Sequence, residues 1–154
     1  MAIATPTRRR VRYASLDELV SDAERAVSTN SATTGNWSLG QILEHLAIAN
    51  EKMIDGFGFS TPWPVRTVGR LVFKKRVLEK GLTPGFNLRP KAAAILVPGE
   101  TDAAAGLDHL RKSTERLKSE QKRAPHPFLG LMTLDECDRM CLRHAELHMS
   151  FVTA

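Results

Sequence analysis

The chain has 154 residues, of which 42% are hydrophobic and 25% are charged. This composition is typical of one ordinary globular domain, and the sequence has no run of about 18 apolar residues that would predict a transmembrane helix. The formal net charge is +5, but the basic residues are spread over several short clusters without a nucleic-acid-binding motif. We therefore expect no specific nucleic-acid partner and no membrane partner, with non-specific nucleic-acid binding by the basic surface as a weaker alternative.

The cysteines and the first residues bear on the cellular compartment. Cys137 and Cys141 lie four positions apart in a helical pattern, so they cannot form a long-range disulfide framework. Residues 1–12 contain three consecutive arginines but no apolar stretch after them, which argues against a secretory signal. We expect a cytoplasmic protein.

Four long helices are predicted in chain order, over residues 16–28, 39–57, 102–122 and 134–152. Apolar residues recur in each at helical spacing. Three of the four start with a capping box, in which a hydroxyl side chain and a carboxylate or amide three residues later bond to backbone N–H groups. The three pairs are Ser15 and Glu18, Ser38 and Gln41, and Thr133 and Glu136.

The long connection between the second and third of these helices has a different composition. Five of the eight prolines and six of the ten glycines lie between residues 56 and 99, where they interrupt long helices. One short helix is predicted within it, over residues 65–80. Residues 1–154 are thus expected to form a single all-α domain: a four-helix bundle with a basic N-terminal arm at 1–14 and a long crossover at 56–100.

The last helix carries the strongest chemical signal. Its apolar positions follow steps of three and four residues, and His144 and His148 occupy two of them. Two histidines one turn apart on one helix face can converge on a single metal ion. Burying both imidazoles costs free energy unless each ring nitrogen finds a partner, and a metal ion supplies a partner for both.

A third ligand is expected from the second helix, where His45 flanks the apolar stripe. Facing helices of a bundle build metal sites in this way, and three nitrogen ligands leave a coordination position for water or substrate. Cys137 and Cys141 are competing ligands on the same stripe. However, Cys137 and His148 are about 16 Å apart along the helix, so packed, inert cysteines are the favoured interpretation and only Cys141 could approach the site.

The two remaining histidines give weaker signals. His109 lies at the edge of an apolar stripe, and we expect it to be exposed. His126 lies in a loop between two prolines that leads into the last helix; a role near the site is one interpretation, but no other feature of the sequence supports it.

Two segments together resemble a known family: Asn36-Trp-Ser-Leu-Gly-Gln-Ile-Leu-Glu-His45-Leu-Ala and Arg143-His144-Ala-Glu-Leu-His148. They are similar to the DinB-like superfamily of metal-binding four-helix bundles. The Arg8–Tyr13 start and the Pro-Trp-Pro-Val and Ala-Pro-His126-Pro-Phe-Leu-Gly segments resemble an uncharacterised bacterial branch of it. The resemblance implies an up-down-down-up bundle with a divalent metal ion, usually nickel or zinc, on His45, His144 and His148.

Two classes of function follow from these observations. In the first, the protein is a metal-dependent hydrolase or a thiol-dependent transferase acting on an unidentified small molecule, with catalytic residues unassigned. We then expect aromatic residues of the crossover, with Trp63, Phe73 and Phe86 as candidates, to cover the open side of the site, because long loops in compact domains are commonly functional. In the second, the bundle holds a metal or binds a partner without turnover. Both classes of function are compatible with a homodimer.

Overall fold

The computed structural model describes residues 8–85 and 87–153, and this part of the chain is all-helical. Its four long helices are α1 (Leu16–Ser28), α2 (Leu39–Asp55), α6 (Ala103–Ser119) and α7 (Leu134–Met149). Three short helices lie between α2 and α6, namely α3 (Trp63–Val68), α4 (Lys74–Lys80) and α5 (Pro90–Leu96). Within the described residues, extended pairing is limited to the isolated bridges Thr33–Val152 and His126–Gly130.

The capping residues predicted from the sequence start the helices as expected. Ser38 with Gln41 and Thr133 with Glu136 form complete capping boxes at α2 and α7. At α1 the box is incomplete: the Ser15 side chain accepts a bond from the Glu18 backbone, whereas the Glu18 carboxylate accepts one from the Ala14 N–H at 2.7 Å. Each hydroxyl satisfies an N–H group that the first helical turn leaves without a partner.

Three of the predicted helix ends lie too far along the chain. The second helix ends at Asp55, the third at Ser119 and the last at Met149. At the end of α7 the chain turns away to pair with the loop that precedes α2: the Thr34 N–H donates to Phe151 O at 2.8 Å and the Thr153 N–H to Ala32 O at 2.8 Å. These contacts replace further helical hydrogen bonds.

The long helices pack around one apolar core, as an all-α bundle requires. Its fully buried members come from all four of them and include Leu19, Leu43, Leu110 and Met149. The closest approach is between α2 and α6, where Gly106 lies against the backbone of Gly40. A side chain at either position would hold the two helices apart.

The described part of the N-terminal arm is packed against the bundle. The Arg9 N–H donates to Ser150 O at 3.1 Å, and the Tyr13 N–H donates to the buried Glu146 carboxylate at 2.9 Å. Arg143, also buried, donates to Tyr13 O at 3.0 Å and forms an ion pair with Glu146 at 3.2 Å. The arginine and glutamate of the Arg143–His148 segment therefore hold the arm on α7.

The crossover differs from its prediction in two respects. The expected single helix over 65–80 is α3 and α4 joined by a π-helical segment, Gly69–Phe73. A further helix that was not predicted, α5, begins with Pro90, a residue well suited to the first helical position. Within the described residues, no helix has the length and apolar character needed to cross a membrane.

Candidate metal centre

Three histidine side chains from two long helices meet at one point. The Nε2 atoms of His45 and His144 are 3.1 Å apart, and so are those of His144 and His148. One nitrogen of each ring lies within 4.8 Å of the corresponding nitrogens of the other two, an arrangement that could hold a metal ion. Because α2 packs against α7, residues that are about 100 positions apart in sequence are brought together.

The orientation of His45 is fixed by the crossover. Its Nδ1 atom lies 2.7 Å from the backbone carbonyl of Leu96, the last residue of α5. A carbonyl oxygen only accepts, so Nδ1 must carry the hydrogen and Nε2 presents its lone pair to the other histidines. Such a bond on the far ring nitrogen is typical of metal-binding histidines.

Trp37, the residue before the N-cap of α2, holds two of the three rings from one side. Its indole is nearly parallel to the His148 ring, with 5.5 Å between centroids and 13° between planes. It also contacts the His45 ring, at 4.8 Å between centroids. The loop before α2 thereby fixes the direction of a side chain on α7.

The surroundings of the three imidazoles favour their neutral form. Burial lowers the pKa of His45, against the hydrogen bond to Leu96. Burial and three neighbouring histidines, His148, His45 and His126, hold the pKa of His144 well below its usual range. Burial, His45 and the Arg8 guanidinium lower the pKa of His148 to about 3. Neutral imidazole is the form that binds metal ions.

The spacing of the nitrogen atoms also fits a metal ion. A tetrahedral zinc site with nitrogen ligands at about 2.0–2.1 Å places neighbouring nitrogens about 3.3–3.4 Å apart. The two 3.1 Å separations are close to that value. Imidazole nitrogen is a ligand suited to zinc, nickel and copper. The donor set therefore fits a divalent transition-metal ion.

The three histidines form part of the wall of a large cavity of about 1590 Å³. His144 and His148 are half-buried: other rings pack on one side of them, and both line this cavity. The cavity is bounded by α2, α7, the crossover and the loop before α7. A ligand on the three nitrogen atoms would thus have open space beside it.

Residues 5–154 match a family described as "Protein of unknown function (DUF1569)". The chain belongs to this family. None of the curated proteins and none of the solved structures gives a significant match.

The cysteines of this DUF1569 chain lie outside the group of three histidines. Cys137 and Cys141 are both buried free thiols, and burial raises the pKa of each. Cys141 does line the cavity, which agrees with the prediction that it alone could approach the site. The group of residues whose ligand atoms converge contains the three histidines and neither thiol.

The other two histidines differ from what the sequence suggested. His109 was expected to be exposed, but it is partly buried because it bridges two glutamates of α2, lying 2.9 Å from Glu44 and 3.1 Å from Glu51. His126 lines the same cavity as the three clustered histidines. A place near the site was one interpretation of this histidine between two prolines, but nothing else in the sequence supported it.

The crossover supplies much of the cavity wall, although not through all the aromatic residues that were predicted. Phe73 lines the cavity together with Phe57 and Phe59, whereas Trp63 is not part of the wall and is 71% exposed. Phe86 lies outside the described residues. The closest approach of the crossover to the histidines is a backbone atom, the Leu96 carbonyl.

Proposed function

We propose that this DUF1569 protein binds one divalent metal ion, zinc or nickel, through His45, His144 and His148, and uses it to act on a small molecule. The observation that carries the proposal is the convergence of the three Nε2 atoms at the wall of a cavity. A bound ion of this kind would act as a Lewis acid that lowers the pKa of a water molecule or a thiol to near neutrality.

The protein's own residues would prepare the site for such chemistry. The Leu96 carbonyl holds His45 in the tautomer that presents Nε2, and Trp37 holds the His148 ring. With ligands from only three side chains, the side facing the cavity remains accessible to a substrate. Open coordination of this type is a feature of catalytic rather than structural metal sites.

The DinB-like resemblance supports the same proposal. Its expected ligands are the three histidines that cluster, and they lie on the second and last of the four long helices. An up-down-down-up order of those helices is part of the proposal. Within the enzyme class, a metal-dependent hydrolase and a thiol-dependent transferase are both retained, since a cavity next to the histidines would serve either.

The alternative is a metal-holding or partner-binding bundle without turnover. The size of the cavity beside the histidines, about 1590 Å³, favours the enzyme. Ligand pockets are commonly about 300–1,000 Å³, so the space is larger than a purely structural metal site requires.

Metal content tests the ligand assignment. Protein purified without a His-tag should contain about one divalent ion per chain by elemental analysis. His45→Ala, His144→Ala and His148→Ala should each lose most of it, since two nitrogen ligands hold an ion weakly. His109→Ala is the matched control, because His109 lies on α6, is paired with two glutamates of α2 and is not one of the three clustered histidines. Retention of the ion by the first three variants would refute the assignment.

A second measurement separates the enzyme from the metal-holding module. The visible spectrum of the cobalt(II)-substituted protein reports the coordination of the ion. If a coordination position is open, adding azide should change that spectrum in a saturable way. An unchanged spectrum would favour the closed, non-catalytic alternative.

The remaining proposals concern partners and location. A small-molecule substrate is the partner that the cavity supports, and we retain the proposals that the chain is a single cytoplasmic domain without a specific nucleic-acid or membrane partner. A homodimer is a further proposal, and light scattering coupled to gel filtration measures it directly.

A further inference from the structure

The chemistry of the cavity wall indicates what kind of molecule it could take. The wall is mainly aliphatic and aromatic, with Phe57, Phe59 and Phe128 among its members. Apart from histidine, its polar groups are uncharged: the Trp37 indole N–H, the Cys141 thiol and the side chains of Asn36, Asn50, Thr83 and Asn87. Among the described residues, no lysine, arginine, aspartate or glutamate lines it.

A charged group on a ligand would therefore find no opposite charge on the wall itself. Moving an ionised group from water into apolar surroundings is costly unless it is paired. The wall thus selects for uncharged, mostly apolar molecules, apart from any group that a metal ion binds.

One polar side chain in the wall is held in a defined protonation state. His126 Nδ1 accepts hydrogen bonds from the backbone N–H groups of Phe128 and Leu129, both at 3.2 Å. An atom that accepts two N–H donors carries no hydrogen itself, so the neutral ring carries its hydrogen on Nε2. Burial lowers the pKa of His126 to about 4, which agrees with a neutral ring.

The turn that carries His126 is held from two directions. His126 and Gly130 pair through two backbone hydrogen bonds, of 2.8 and 2.9 Å. On the crossover side, the Thr61 hydroxyl donates to Pro127 O at 2.7 Å. Gly69 packs so closely on the turn that an added Cβ would lie 2.6 Å from the Phe128 carbonyl oxygen. These contacts together fix the position of the His126 imidazole ring.

Within the described residues, the Nε2–H of His126 has no hydrogen-bond acceptor from the protein, although the ring lines the cavity. A donor in an apolar cavity gains free energy when a ligand oxygen accepts its hydrogen bond. Its position in the same cavity as the three clustered histidines allows one molecule to face both.

We infer that the cavity binds an uncharged, largely apolar molecule that carries a carbonyl-type oxygen, and that His126 orients it by donating a hydrogen bond from Nε2 to that oxygen. His126 is then a ligand-binding residue separate from the three proposed metal ligands. This class of molecule would be the substrate in the proposed function. Only its being a substrate rests on that function, whereas its binding in the cavity does not.

Binding of an uncharged fluorescent naphthyl ketone, 6-propionyl-2-dimethylaminonaphthalene, tests the cavity. Its emission should shift to the blue and saturate as protein is added. Val77→Asp places a carboxylate at a partly buried position of the wall and should raise the dissociation constant by about tenfold or more. Leu71→Asp is the matched control, since Leu71 is 78% exposed and is not part of the wall. Equal affinities of the two variants for the ketone would refute the inference that this cavity is its binding site.

The role of His126 is tested with a second probe, 2-dimethylaminonaphthalene, which lacks the carbonyl group. His126→Asn keeps an oxygen near the position of Nδ1 to accept the two backbone N–H groups, but it removes the donor at Nε2. We expect about fivefold weaker binding of the ketone, the worth of one hydrogen bond of about 1 kcal/mol, with little change for the second probe. His126→Gln, which can place a donor near Nε2, should restore part of the affinity. Equal losses for both probes would refute the hydrogen bond.

Two further measurements keep this inference distinct from the metal proposal. Nitrogen-15 NMR of labelled histidine should show His126 as the Nε2–H tautomer, and the Nδ1–H tautomer would overturn the proposed donor. Metal content is measured on the same samples and should be unchanged in His126→Asn. If the ion is absent but the ketone binds as described, the metal proposal fails while the binding cavity stands.

Discussion

A methyl group added at Gly40 is expected to force apart the two helices that pack most closely. A Cβ at this position would lie 1.9 Å from the Thr101 carbonyl oxygen and 2.8 Å from the carbonyl carbon of Asp102. Backbone atoms cannot rotate away as a side chain can, so α2 and the start of α6 must separate by about 1 Å or more to restore ordinary contact.

Two opposing effects determine how much the free energy of unfolding decreases in Gly40→Ala. Overpacking of this kind costs typically about 1–3 kcal/mol, and the backbone clash places Gly40 at the upper end of that range. Replacing glycine by alanine returns at most about 1 kcal/mol through helix propensity, because Gly40 lies in the first turn of α2. The expected net loss is about 2 kcal/mol, which corresponds to a decrease in Tm of about 4–8 °C for a domain of this size.

Urea unfolding followed by far-ultraviolet circular dichroism measures this loss. Gly99→Ala is the matched control, because a Cβ there meets no atom within 4 Å, and its stability should stay within about 0.5 kcal/mol of the original chain. If Gly40→Ala is as stable as Gly99→Ala, the close contact between α2 and α6 is not present in solution, and the predicted loss of stability is refuted.

Three further outcomes are expected. Cys141→Ala should leave the metal content unchanged and lower the free energy of unfolding by about 1–2 kcal/mol; loss of the ion would make this thiol a ligand. Trp37→Leu should weaken metal binding by about tenfold, because an aromatic ring that orients a ligand is lost, whereas Trp63→Leu, at a residue 71% exposed, should not; metal-competition titration compares the two. Asp22→Asn should flatten the dependence of unfolding free energy on acid pH in urea titrations. Burial would raise the pKa of Asp22, but hydrogen bonds from two arginines and a tyrosine outweigh it and hold that pKa at about 2, so the original chain loses about 1 kcal/mol of stability as the pH falls from about 4 to 2. Parallel pH profiles for the two proteins would contradict this.

The features that were predictable from the sequence are those that local physics determines. The helix starts at Ser38 and Thr133 follow from side chains that reach only three residues along the chain. The prediction of an all-α fold follows from apolar residues at helical spacing. By contrast, α5 lies in a proline- and glycine-rich segment, and although Pro90 suits a helix start, the helix is held by burial of Ala92 and Leu96 against the rest of the molecule. No local sequence pattern predicts that these two residues are buried.

The three histidines were predictable because their spacing on two helices limits where they can point, and α2 packs against α7. The groups that complete the site are of a different kind. The bond to His45 comes from a backbone carbonyl, that of Leu96, and every residue has a carbonyl, so no residue type marks the position. His126 is placed by hydrogen bonds within its own turn and by the packing of Gly69 on that turn. Residue types in sequence therefore indicate which atoms could bind a ligand, whereas the choice among them depends on how the crossover docks.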